Sequence, residues 1–111
     1  MASLLWHKVA GVSGMTALAA GTYGAHGFKP ADPVYKTVYQ TGNIYHLVHS
    51  SALLAAPLSK RPNLFGGLCS FGIVTFSGTC YLVALKEDRS LSKPAPVGGF
   101  AFIAAWASLL F

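Results

Sequence analysis

The chain has 111 residues, with eight Lys+Arg against three Asp+Glu and a net charge of +5. Charged residues make up 10% and hydrophobic residues 53%, whereas an ordinary soluble domain is about 25% charged. A soluble protein this small is mostly surface, so a soluble enzyme, a disordered tail and a collagen-like fibre all fit poorly, and the length leaves room for one domain.

A hydrocarbon layer about 30 Å thick needs roughly 20 apolar residues per crossing helix. Stretches free of Asp, Glu, Lys and Arg predict four spans, at 9–28, 37–59, 62–85 and 94–111. Residues 1–111 therefore read as a single membrane domain, an all-α integral membrane four-helix bundle. In the first span Ser13, Ala17, Gly21 and Ala25 recur every four residues, the small-residue pattern through which membrane helices approach closely. Intramolecular packing is the favoured use of this seam, with a homo-oligomer contact as the lesser one. Glycines and then Pro30 close the first span.

Asp32-Pro33 supplies an N-cap carboxylate and a proline in the first helical turn for the second helix. Its start, residues 34–43, is amphipathic and carries Tyr35 and Tyr39, which predicts an interfacial stretch before an immersed part at 44–58. The pairs Lys60-Arg61 and Pro62-Asn63 form a tight basic turn. The third span holds both cysteines, Cys69 and Cys80, about 16 Å apart along a helix, which reads as two buried apolar side chains rather than a disulfide. Residues 86–90 form a charged turn. Gly98, Ala101, Ala105 and Ser108 make a second small-residue seam in the last span.

The basic residues lie singly or in pairs between apolar stretches, so they read as flanking charges and nucleic-acid binding is not expected. Lys29, Lys36, Lys86, Arg89 and Lys93 fall in the first and third connections, Lys8, Lys60 and Arg61 on the other side. Positive-inside counting then puts both termini outside. No secretory or transit signal is evident, so the first span is expected to insert itself.

Asp32, Glu87 and Asp88 all fall in predicted loops, and a proton-coupled carrier usually needs a carboxylate within the bilayer. No G-x-S-x-G, H-E-x-x-H or phosphate-binding glycine loop occurs. Histidine remains. His46 and His49 share one face of helix 2 with Asn43 and Ser50, and His26 ends helix 1. The favoured reading is that these side chains bridge helix 2 to helix 1 or helix 4 through hydroxyls and carbonyls. Haem b is the alternative, with His26, His46 and His49 as candidate cofactor ligands; because His46 and His49 lie on the same face, only one of them could ligate a given iron. A metal site is not expected, since neither thiolate nor carboxylate joins the imidazoles. A lipid headgroup or quinone near the aromatic belt is a further possibility.

The segment Tyr23-Gly24-Ala25-His26-Gly27, followed by His49-Ser50-Ser51-Ala52-Leu53-Leu54, resembles the transmembrane protein 256 family. The likeness extends to Ser77-Gly78, to Pro96-Val97-Gly98-Gly99 and to Trp106. It implies a small multi-helix membrane protein, in the mitochondrial inner membrane or, for a prokaryotic source, the bacterial plasma membrane. It brings no reaction, cofactor or substrate.

The expectation is a structural or accessory component of a larger membrane complex, without catalytic activity or cofactor, whose partners are the lipid bilayer and other membrane subunits. A haem- or quinone-binding anchor of an oxidoreductase and a small carrier or channel are the alternatives.

Overall fold

The computed structural model describes residues 2–111. Four long helices form and, among the described residues, no strand. They are α1 (Ala2–His26), α2 (Pro33–Leu53), α3 (Pro62–Lys86) and α4 (Ala95–Ser108). Single 3-10 turns lie at Ala56–Leu58 and Arg89–Ser92.

The chain punctuation works as the residues dictate. Gly27 and Phe28 donate their amides back to the Tyr23 carbonyl as α1 ends. Asp32 accepts from the Val34 amide at 3.0 Å and caps α2, with Pro33 in its first turn. After α3, Glu87 takes a left-handed conformation at φ 50°, and Asp88 turns the chain by accepting from both the amide and the hydroxyl of Ser90. Those two donors hold the exposed Asp88 carboxyl below its ordinary value.

The observed helices differ from the predicted spans in several places, α1 among them, since it runs from Ala2 to His26 and not over 9–28. Helix α2 stops at Leu53, not at residue 59, because Pro57 lacks the amide that would bond the Leu53 carbonyl. Helix α4 is 14 residues long and ends at Ser108. The bonds from Leu109 to Trp106 and from Leu110 to Ala107 tighten its last turn. The expected interfacial start of α2 also packs against the end of α1. Tyr39 is 4% exposed and its hydroxyl donates to the Ala20 carbonyl. Lys36 donates to the carbonyls of Gly24 and Phe28, closing the end of α1.

Among the described residues, one helix, α3, is both long and apolar enough to cross a membrane on those criteria alone. Glycine, serine and threonine dilute α1, polar side chains dilute α2, and at 1.5 Å per residue α4 is about 21 Å long.

The helices stand beside one another in chain order. Helix α1 lies on α2, α2 on the second half of α3, and α4 on the first half of α3. The larger core gathers Trp6, Leu53, Phe65, Cys69, Ile73 and Phe102, and a smaller one gathers Phe28, Tyr39 and Ala84. Helix α3 widens into a π turn at Ile73–Ser77. That turn sits where α4 comes closest: a Cβ on Gly98 would stand 2.4 Å from the Phe76 amide nitrogen. The Cα trace measures 45 × 25 × 16 Å, long in one direction and thin in another.

Candidate functional site

The polar residues of α2 recur at helical spacing, so Gly42, His46, His49, Ser50 and Leu53 all point into the bundle and are buried. Gly42 belongs to this face because a side chain there would strike Cys80. Around these residues the buried polar groups form three linked sets.

The first joins α1, α2 and α3. The Asn43 amide donates to the Ala17 carbonyl at 2.8 Å and to the Tyr81 hydroxyl at 3.1 Å. The Tyr81 hydroxyl also lies 2.8 Å from His46 Nδ1. Since Asn43 donates to the Tyr81 oxygen, the phenol proton is free to go to His46 Nδ1. The second set is a pair of serines, with Ser13 Oγ 2.6 Å from Ser50 Oγ. Ser50 also reaches the His46 carbonyl at 2.7 Å.

The third set joins α2 to α4. Trp106 Nε1 donates to His49 Nε2 at 3.0 Å. An indole nitrogen only donates, so His49 Nε2 is an acceptor and the imidazole proton sits on Nδ1. That proton goes to the Tyr45 carbonyl at 2.8 Å. The ring also stacks on Phe102, centroids 3.6 Å apart. His49 is thus a neutral imidazole with both nitrogens engaged.

These bonds describe what the site can do. Ser50 addresses a backbone carbonyl and another serine, and among the described residues no serine hydroxyl bonds an imidazole as nucleophile to base. A haem iron on His49 would require breaking the Trp106 bond or the Tyr45 bond. His26 is exposed at the end of α1 and belongs to none of the three sets. Among the described residues, no three His, Cys, Asp or Glu side chains stand together as metal ligands.

The small-residue seams are placed as follows. Ala17 is fully buried, and Ser13 and Gly21 are half-buried against α2. A Cβ on Gly21 would stand 2.9 Å from Asn43 Oδ1. Ala25 is exposed, and Gly24 takes its place beneath the Tyr39 ring. Steps of four residues overshoot a helical turn by about 40° each, so by residue 25 the stripe has rotated away from α2. In α4, Gly98, Ala101 and Ala105 are buried and Ser108 half-buried, its hydroxyl on the Ala105 carbonyl.

Tyr81 and Trp106 were not assigned roles from spacing, although both hold histidines. Each is an amphipathic aromatic within a predicted span, and its polar tip needs a partner wherever it is buried. That is the signal by which they are found.

Two clefts flank the polar sets. One, of about 600 Å³, lies between α1 and α3 and ends on His46 and Tyr81. The other, of about 430 Å³, lies between α2 and α4 beside His49 and Trp106.

Residues 20–99 match a family model described as protein of unknown function (DUF423). The chain is 34% identical over 105 residues to a UPF0382 membrane protein of Staphylococcus saprophyticus, covering 89% of this chain and 88% of that one. It is 34% identical over 107 residues to the UPF0382 membrane protein YwdK of Bacillus subtilis, covering 89% and 87%. It is 34% identical over 108 residues to the UPF0382 inner membrane protein YgdD of Escherichia coli, covering 91% and 82%. No solved structure matches. These relatives are bacterial, and nothing in them supports the expected mitochondrial location.

Proposed function

This chain belongs to the DUF423 family, whose relatives are membrane proteins, and we propose that it is a four-pass structural or accessory subunit without catalytic activity or cofactor. The likeness of its two histidine motifs to the transmembrane protein 256 family is part of the same reading. The bacterial plasma membrane is the location it favours, by analogy with the E. coli relative.

One observation carries this reading: the molecule is apolar outside, and its buried histidines and Ser50 are hydrogen-bonded within. Met15, Val48, Val74 and Phe100 are exposed, while the hydrogen-bonded His46, His49 and Ser50 are buried. In water that distribution would leave a large apolar surface uncovered; in lipid it is what a bundle held by interior hydrogen bonds requires. The 45 Å long axis suits a bilayer of about 40–45 Å with its headgroups. The short α4 crosses with its flanking residues and the thinning that a short span induces.

The accessory role draws on α1. Gly11 and Gly14 have open space where a Cβ would stand, so that face offers a close approach to another helix. The test is native electrophoresis after mild detergent extraction from the source membrane, with mass spectrometry of what co-migrates. We expect a band well above 11.6 kDa that returns toward the monomer in Gly14→Leu. A wild-type chain running alone near its own mass overturns the accessory role.

A further inference from the structure

We infer that the cleft between α1 and α3 holds one acyl chain of an anionic phospholipid, with the phosphate seated on Lys8. The inference rests on the four-pass reading above and supplies that reading with a ligand.

The cleft exists because α1 and α3 both lean on α2 and hardly touch each other. Its volume of about 600 Å³ lies within the roughly 300–1,000 Å³ typical of small-molecule sites. Val12 on one side and Ile73 and Val74 on the other make its walls. Along α1 it runs from Lys8 to Thr16, about 12 Å at 1.5 Å per residue. At the inner end His46 Nδ1 and the Tyr81 hydroxyl satisfy each other. Of the hydroxyls in its lining, only that of Ser70 lacks a partner, too few polar groups to hold an ordered water; a hydrocarbon chain fills the trench.

Charge says which lipid. Lys8 is exposed and is the one charged residue among those lining the cleft. The Trp6 indole donates to Asn63, so the start of α1 and the α2–α3 connection share one end of the molecule. That end carries Lys8, Lys60 and Arg61 and no acidic side chain, because Asp32, Glu87 and Asp88 all lie in the connections at the opposite end. A phosphate at headgroup depth beside Lys8 therefore meets no acidic side chain.

The test is native mass spectrometry of the full chain in mild detergent, given equal amounts of phosphatidylglycerol and phosphatidylcholine with identical acyl chains. One lipid should be retained, with phosphatidylglycerol favoured about fivefold, the factor expected of one lysine at an anionic headgroup. Lys8→Ala should abolish the preference, while Lys60→Ala, outside the cleft, should keep it. Gly78 lines the cleft with open space where a Cβ would stand, so Gly78→Leu should fold and expel both lipids, as should Val12→Trp. Equal retention of the two lipids, equal effects of the two lysine variants, or lipid kept by both filled variants would each overturn the site. A chain that alkaline carbonate washes off the membrane overturns the four-pass reading instead.

Discussion

His49 shows what one side chain contributes when every polar atom around it is committed. Its Nε2 accepts a hydrogen bond from the Trp106 indole and its Nδ1 donates one to the Tyr45 carbonyl, so it ties the middle of α2 to α4 and fixes a single tautomer. Removing the donor leaves a buried acceptor with nothing to accept. Because interhelical hydrogen bonds in membranes are worth about 0.6–2 kcal/mol, a double-mutant cycle of Trp106→Phe and His49→Phe should give a coupling energy in that range. Unfolding in mixed micelles measures it. Additive effects of the two substitutions would mean that the bond contributes nothing to stability. The spacing of Asn43, His46, His49 and Ser50 announced one polar face, but the partners Tyr81 and Trp106 are distant in the chain, and no spacing rule within α2 points to them.

Among helices, the contacts are set by where a backbone admits another. Gly98 is the sharpest case, since an added Cβ meets the Phe76 backbone, which cannot rotate aside as a ring can. Its neighbour Gly99 has nothing nearer than 4.0 Å. Overpacking at a tight contact costs typically 1–3 kcal/mol, so Gly98→Ala should destabilise by about that amount. Gly99→Ala should stay within about 0.5 kcal/mol of wild type. Thermal unfolding of the two variants in the same detergent distinguishes them, and equal melting temperatures would mean that α4 does not seat on the π turn. The predicted helix ends were right where a single residue decides, as at Asp32-Pro33. They were wrong at the end of α2, where charge gaps carried the reading past Pro57. The exposed Ala25 shows the same limit, because a strict four-residue stripe drifts around a helix while the partner helix does not.

The whole molecule presents two unlike ends. One carries Lys8, Lys60 and Arg61 without an acid, the other all three acidic residues with the remaining cations. With four crossings these ends lie on opposite sides of the bilayer, and both termini share the first. Positive-inside counting puts the second end in the cytoplasm. A membrane-impermeant thiol reagent applied to intact cells should therefore label Lys60→Cys and spare Ser90→Cys, and should label both after permeabilisation. The buried native Cys69 and Cys80 should stay unlabelled throughout. Labelling Ser90→Cys in place of Lys60→Cys reverses the orientation; labelling both in intact cells removes the four-pass topology.

Composition pointed to lipid, because eleven charges cannot hydrate the surface of a folded chain of this size, and their positions marked three connections and four helices. Which groups meet was decided only in three dimensions. Periodicity along one helix reports the direction a side chain takes, whereas its partner depends on the order in which helices stand and on the few glycines that let them touch. For that reason the polar face of α2 was visible from the start, while the Tyr81 and Trp106 contacts, the π turn beneath Gly98 and the cleft left between α1 and α3 belong to the tertiary structure.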